Sequence, residues 1–165
     1  YSDALLNPLP GSRQYSGILV SVGGGAVVWG ARRQSIGTDN IADSESVAAW
    51  VLGRKVEGIV ELIESVKIQV PLPVPTHHDN AASFLAMTTL TSRKARHLAL
   101  KMGVLRDQVM ERFLIDPKHI LSADNLSDGM TKAYGPKDFH YYRGLWLNIN
   151  QKTHFVPRVH PPHKK

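Results

Sequence analysis

The stretch "SGILVSVGGGAVVWGARRQ" (Ser16–Gln34) decides the fold class. Two apolar, β-branched runs flank Gly23-Gly24-Gly25, which signals a β-hairpin. A glycine run can also cradle a phosphate, but that use needs a helix N-terminus directly after the loop, and here a strand follows. Beyond the hairpin the apolar period changes. Ala49, Leu52, Val56, Ile59 and Ile63 recur at spacings of three and four, one stripe of a long helix, with Asp43 or Ser44 as its N-cap. Gly53 and Gly58 each weaken that helix by ~1 kcal/mol relative to alanine. They are tolerable where a helix packs closely on a sheet.

Upstream, Tyr1–Ala4 reads as a strand, and the two prolines and Gly11 of "NPLPGSRQ" (Asn7–Gln14) as a loop. Downstream, "KIQVPLPVPTHHD" (Lys67–Asp79) is a linker leading to a brief strand near Val74–His78, because Pro71, Pro73 and Pro75 cannot donate to a ladder. "NAASFLAM" starts a helix capped by Asn80. "SRKARHLALKMGVLRDQVMER" (Ser92–Arg112) is a second, basic helix. Asp116-Pro117 reads as a turn between the strand-like pieces "FLI" and "HIL". "SADNLSDGMTKAY" is a helix capped by Ser122 or Asp124, and "KDFHYYRGLWLNI" a last, aromatic one. The order, antiparallel strands first and parallel crossovers later, predicts an α/β fold with a mixed sheet and helices on both faces.

Size and composition narrow the function. A chain of 165 residues suits one domain that buries roughly two-thirds of its unfolded surface. Residues 1–150 are expected to form it, and 151–165 a basic, Pro- and His-containing tail. No apolar run reaches the ~18 residues of a membrane span, and there is no signal-peptide pattern. The first strand looks cut short, so the domain is expected to be excised from a longer chain with another domain upstream. The chain has no cysteine, which excludes disulfides and thiolate metal sites. The net charge of +6 favours a polyanionic partner.

Of the fourteen Asp and Glu residues, four stand in unusual places. Asp3 lies within the first strand, where aspartate is disfavoured. Glu45 lies on the inner stripe of the long helix. Asp79 ends a strand just before a helix, at the sheet edge where α/β sites are built. Asp128 sits in the early turns of a helix, where the dipole favours an anion. Singly, each has a structural explanation as a turn residue, a helix-start acid or a cap. Together, carboxylates converging on one edge repel one another unless a cation neutralises them. Hard oxygen ligands suit Mg²⁺ or Mn²⁺, and two such ions ~3.5–4 Å apart can drive in-line phosphodiester cleavage.

The anchors "YSDA" (Tyr1–Ala4), "YSGILVSVGGGAVVWGARRQ" (Tyr15–Gln34), "DSESVAA" (Asp43–Ala49), "HDNAAS" (His78–Ser83), "SRKARHLALKMGVLRDQV" (Ser92–Val109) and "NLSDGMTK" (Asn125–Lys132) stand in an order and spacing that resemble the ribonuclease H domain of copia-class LTR retrotransposons. The resemblance runs from Tyr1 to about Asn148. It implies the ribonuclease H fold, a five-stranded mixed sheet with three antiparallel and two parallel strands. It further implies cleavage of the RNA strand of RNA–DNA hybrids during reverse transcription, beside a reverse transcriptase domain of the same polyprotein. The setting would be intracellular, in cytoplasmic virus-like particles with a nuclear phase.

The family's four metal-binding carboxylates fall on Asp3, Glu45, Asp79 and Asp128. In the two-metal scheme Asp3 bridges two Mg²⁺ ions, for which Mn²⁺ can substitute. Asp128 helps hold the ion that activates water, and Glu45 and Asp79 the ion at the leaving 3′-oxygen. Substrate contacts to 2′-hydroxyls are expected from backbone groups of the loop near Asp43–Glu45, Ser44 among them, and from the Asn80 side chain. Phosphate contacts are expected from Arg93, Lys94, Arg96, Lys101 and Arg106 on the basic helix, with His97 beside them. His119 aligns to a strand position better than to the loop histidine that some members use in product release. The sequence departs from the family pattern at Asp43, Ser44, Ser46, His78 and Gly103, and in the Leu5-Leu6 that follow YSDA; no metal ligand is lost. A module that only binds hybrid or braces the polymerase is the alternative. An integrase of similar fold would place its glutamate last, and a zinc–histidine protein would space its histidines as ligands; this chain does neither.

Overall fold

A computed structural model describes residues 1–5, 13–38, 40–88 and 98–149. The fold is α/β. Strands β1 (Ser2–Leu5), β2 (Tyr15–Val22) and β3 (Gly25–Arg33) form an antiparallel sheet, and β4 (Val74–His78) pairs in parallel with β5 (Ile115–His119). The glycine run makes the hairpin turn. Gly23 and Gly24 both have positive φ, 59° and 87°, the left-handed pair that a tight hairpin requires and only glycine adopts freely.

Helix α1 spans Ile41–Ser65. Its N-cap is Asn40, not Asp43 or Ser44: the Asn40 side chain accepts from the Asp43 N–H at 2.8 Å and donates to Asp43 Oδ2 at 3.0 Å. Asp43 therefore sits at the third helical position, and its carboxylate bonds back to the Asn40 side chain, not to the backbone N–H of a full capping box. The α1 stripe enters the core at Ala49, Leu52, Val56 and Val60, together with Ile18 and Val20 of β2. Val60 takes the place expected of Ile59, which is half-buried along with Ile63.

Side chains alternate faces along β2. Ile18 and Val20 meet α1, so Gly17 and Leu19 face the opposite side, where α4 (Asp128–Thr131) and α5 (Pro136–Trp146) pack on the sheet. Gly17 is the closest point of approach. A Cβ there would lie 2.7 Å from Thr131 Cγ2 and 3.1 Å from Met130 Cβ.

Other elements differ from expectation. Asp116-Pro117 is not a turn but the middle of β5, with Thr76 opposite Pro117. A two-stranded sheet has only edges, and an edge tolerates a residue with no N–H. Residues 122–134 form a 3₁₀ turn (Ser122–Asp124) and the four-residue α4 instead of one helix. Asn125 is the cause: fully buried, it donates to Ser2 O at 2.9 Å and accepts from Ser127 Oγ at 2.6 Å, which holds the chain in a turn. α2 covers Ala81–Thr88, and α3, Ala99–Arg106, runs on as a π-helical turn over Asp107–Glu111. There the buried Gln108 turns back on α1, its Oε1 occupying the space that a Cβ on Gly53 would need.

Among the described residues the five strands fall into two sheets and not one continuous sheet. β1 and β4 lie side by side, but side chains make the join: Ser2 Oγ and His78 Nδ1 are 2.8 Å apart, and His78 Nε2 is 3.0 Å from Thr76 Oγ1. The site lies at this junction.

Candidate metal centre

Asp3 projects from β1 on the face it shares with its cross-strand partner Gly17, towards α4. Asp79 follows the last residue of β4, and Asp128 is the first residue of α4. One carboxylate oxygen from each of Asp3, Asp79 and Asp128 lies within 4.8 Å of the other two, with Asp3 and Asp128 buried and Asp79 half-buried. These three residues form a group that could hold a metal ion. Glu45, in the opening turns of α1, is also buried. Its Oε1 accepts from the Ala4 N–H at 3.2 Å, and it feels the charges of Asp3, Asp79 and Asp128.

The electrostatics show what gathering these groups costs. Burial, then the charges of Asp3 and Asp79, push the Glu45 carboxyl up to about 9. Burial pushes Asp3 up to about 6 against the hydrogen bond from Thr131, with Asp128 and Asp79 adding repulsion. Asp128 is raised by burial as well. Carboxylates that resist ionisation in this way are what a cation would relieve.

Each aspartate is oriented by a neighbour. Thr131 Oγ1 donates to Asp3 Oδ2, and Ser122 Oγ donates to Asp79 Oδ2. Lys132 Nζ is 2.5 Å from Asp128 Oδ2, while Asp128 Oδ1 is buried and accepts no hydrogen bond among the described residues. A buried carboxylate oxygen without a donor is costly, and an oxygen-seeking cation would satisfy it. The donor set is all hard oxygen, so the residues present fit a divalent ion such as Mg²⁺ or Mn²⁺.

The remaining expected contacts are distributed differently. The Ser44 side chain is fully buried and donates to Gln34 Oε1 at 3.2 Å, so it faces the protein and not a substrate. Asn80 caps α2 by accepting from the Ser83 N–H at 2.9 Å. Arg93, Lys94, Arg96 and His97 lie outside the described residues. Lys101 lies 3.5 Å above the Trp50 ring, and Arg106 is half-buried. His78 is buried between hydroxyls and faces away from the carboxylates, and His77 stacks on Tyr1 at 4.6 Å. His119 is in β5, with Nε2 donating to the Asp79 carbonyl at 3.1 Å.

Sequence reasoning missed Ser122, Asn125, Thr131 and Lys132. Two had a signal: Thr131 and Lys132 follow Asp128 by three and four positions, the spacing that shares one helix face. Ser122 and Asn125 reach across to Asp79 and Ser2, and no local spacing encodes that. No protein-family model matches this chain, and neither a curated protein nor a solved structure matches it.

Proposed function

We propose that this protein is an endonuclease that hydrolyses the RNA strand of RNA–DNA hybrids with two divalent metal ions, a ribonuclease H acting beside a reverse transcriptase domain in retrotransposon replication. The single observation that carries the reading is the meeting of Asp3, Asp79 and Asp128, from β1, the end of β4 and the start of α4, with the buried Glu45 in their field. The order Asp, Glu, Asp, Asp along the chain, the antiparallel trio followed by a parallel pair, and the sequence resemblance support it. The finer assignment, a ribonuclease H-like fold in which the two sheets act as one mixed sheet, belongs to the same proposal. So does an intracellular setting in virus-like particles.

Asp3, Glu45, Asp79 and Asp128 would hold the ions, Mg²⁺ with Mn²⁺ able to substitute. When bound, the ions would supply an activated water and charge stabilisation at the leaving oxygen. The chain's own part is orientation. Thr131 and Ser122 fix the Asp3 and Asp79 carboxylates by hydrogen bonds. Lys132 holds one oxygen of Asp128 and leaves the other without a donor among the described residues. The amide nitrogen of Asn80, whose oxygen is spent on the α2 cap, can donate to a 2′-hydroxyl, the group that distinguishes RNA from DNA.

One observation favours a second reading, a silent module that binds hybrid or braces the polymerase: the Lys132 ammonium already neutralises Asp128. Cleavage of a labelled hybrid with Mg²⁺ or Mn²⁺ decides between them. The wild type should cut, and Asp79→Asn should abolish cutting while the protein stays folded by circular dichroism. Hybrid binding without cleavage by the wild type would select the silent module. An Asp79→Asn protein that cuts at the wild-type rate would remove the carboxylate assignment.

A further inference from the structure

A second site lies across α4 from the carboxylates. Ala26 and Trp29 of β3, Met130 of α4, and Arg143, Trp146 and Leu147 at the end of α5 line a slot of about 140 Å³. Met130 is two residues from Asp128, so the slot borders the short helix that supplies one of the three aspartates. Its walls are almost wholly apolar, and its residues differ in how they are held. Trp146 is fixed: its Nε1–H donates to Leu126 O at 3.0 Å, and its ring fills the space that a Cβ on Gly129 would need. Trp29 is 62 % exposed, unusual for the largest apolar side chain. Arg143 is exposed, and no carboxylate pairs with it among the described residues.

An indole held by its neighbours, a second indole open to solvent and an unneutralised guanidinium suit a ligand with a flat aromatic face and an anionic tail. We propose that this slot takes one unpaired nucleotide, its base against the Trp29 and Trp146 indoles and its phosphate on Arg143, and so seats the single-stranded flank of the substrate beside the cleavage site. Every base has a π-face, so such a subsite tolerates any sequence, and Arg143 adds a planar fork for a phosphate oxygen pair. An aliphatic protein contact would need neither the paired indoles nor the lone cation. The placement beside a cleavage site rests on the nuclease reading, whereas the nucleotide affinity of the slot does not.

The test therefore separates the two. Binding of a short fluorescent single-stranded DNA to the full chain is measured by anisotropy in EDTA, and hybrid cleavage is measured in parallel with Mg²⁺. Trp29→Leu and Arg143→Gln should each weaken oligonucleotide binding at least about fivefold, and Trp29→Phe should keep most of it, because stacking needs a ring and not merely bulk. Unchanged binding in Trp29→Leu would overturn the proposal and leave the slot an apolar face for a protein neighbour. Equal loss in Trp29→Phe and Trp29→Leu, or no oligonucleotide binding by the wild type, would overturn it as well. A chain that binds the oligonucleotide through Trp29 and Arg143 but cuts no hybrid keeps the slot and loses the nuclease reading. Hybrid cleavage with slot variants that bind as the wild type does the reverse.

Discussion

Glu45 shows at the scale of one residue what the site costs the fold. Its carboxyl is buried, and the charges of Asp3 and Asp79 add to that burial in pushing it up to about 9. An acid whose pKa is raised by folding binds more protons in the native than in the unfolded state, so its ionisation penalises the fold increasingly as pH rises above the ordinary glutamate range. Each pKa unit corresponds to ~1.4 kcal/mol, and relaxation of the surroundings takes back part of that. At pH 8 without metal, Glu45→Gln should stabilise the protein by about 1–3 kcal/mol in urea unfolding. At pH 4.5, where the wild-type side chain is neutral in the native state and half-neutral in the unfolded one, the gain should nearly vanish. The same variant should bind Mg²⁺ more weakly in calorimetry. A pH-independent gain would mean that packing and not charge is responsible.

Elements bring these residues together, and two glycines separate the effects of close packing from those of helix propensity. Gly58 lies in the second half of α1 with open space where a methyl group would stand, so Gly58→Ala should gain about 0.5–1 kcal/mol from propensity alone. A methyl group on Gly17 would meet Thr131, Met130 and the Ser127 carbonyl at 2.7–3.1 Å. Gly17→Ala should therefore cost about 1–3 kcal/mol as overpacking. Because the displaced element is α4, it should also weaken Mg²⁺ binding beyond any loss shown by a variant of equal stability elsewhere. Thermal melts and metal titrations on the pair check both. The elements were legible where the signal is local: the glycine hairpin, the α1 stripe with Glu45 on its inner face, and the Asn80 cap. They were misread where a distant partner decides, as at Pro117, which β5 accepts on an edge, and at Asn125, whose bond to Ser2 breaks a helix that periodicity alone would continue. The same division holds at the site. Asp3 within a strand and Glu45 on the inner stripe of a helix stand out as charges in places that disfavour charge, and Asp79 and Asp128 by their strand-end and helix-start positions, while Ser44, expected to contact substrate, turns its side chain inward to Gln34.

Over the whole molecule, two sets of buried ionisable groups act against each other at the junction of the two sheets. Burial lowers His78 to about 3 and His77 to about 4. A histidine lowered by folding is held neutral in the native state, so its contribution is present above the ordinary histidine value near 6.5 and is lost as pH falls towards the folded values. Glu45 and Asp3 have the opposite sign: raised to about 9 and about 6, they erode stability as pH rises towards those values. Between about pH 4.5 and 6 the two sets offset each other, so the metal-free protein should melt highest near pH 6.5, fall towards pH 9 as Glu45 alone titrates, stay nearly level down to about pH 4.5, and fall again below that, where the histidines act alone. The two limbs should respond differently to a divalent ion. On the proposed reading, Mg²⁺ would bind the ionised carboxylates of the native state and stabilise it by mass action, so a millimolar excess of Mg²⁺ should lift the alkaline limb and shift the maximum upward. The acid limb should stay in place, because the imidazoles of His77 and His78 lie outside the ring of carboxylates. Differential scanning calorimetry from pH 3 to 9 with and without Mg²⁺ measures this. An equal lift of both limbs would show that the ion binds the surface non-specifically and not the junction where β1, β4 and α4 bring their aspartates together.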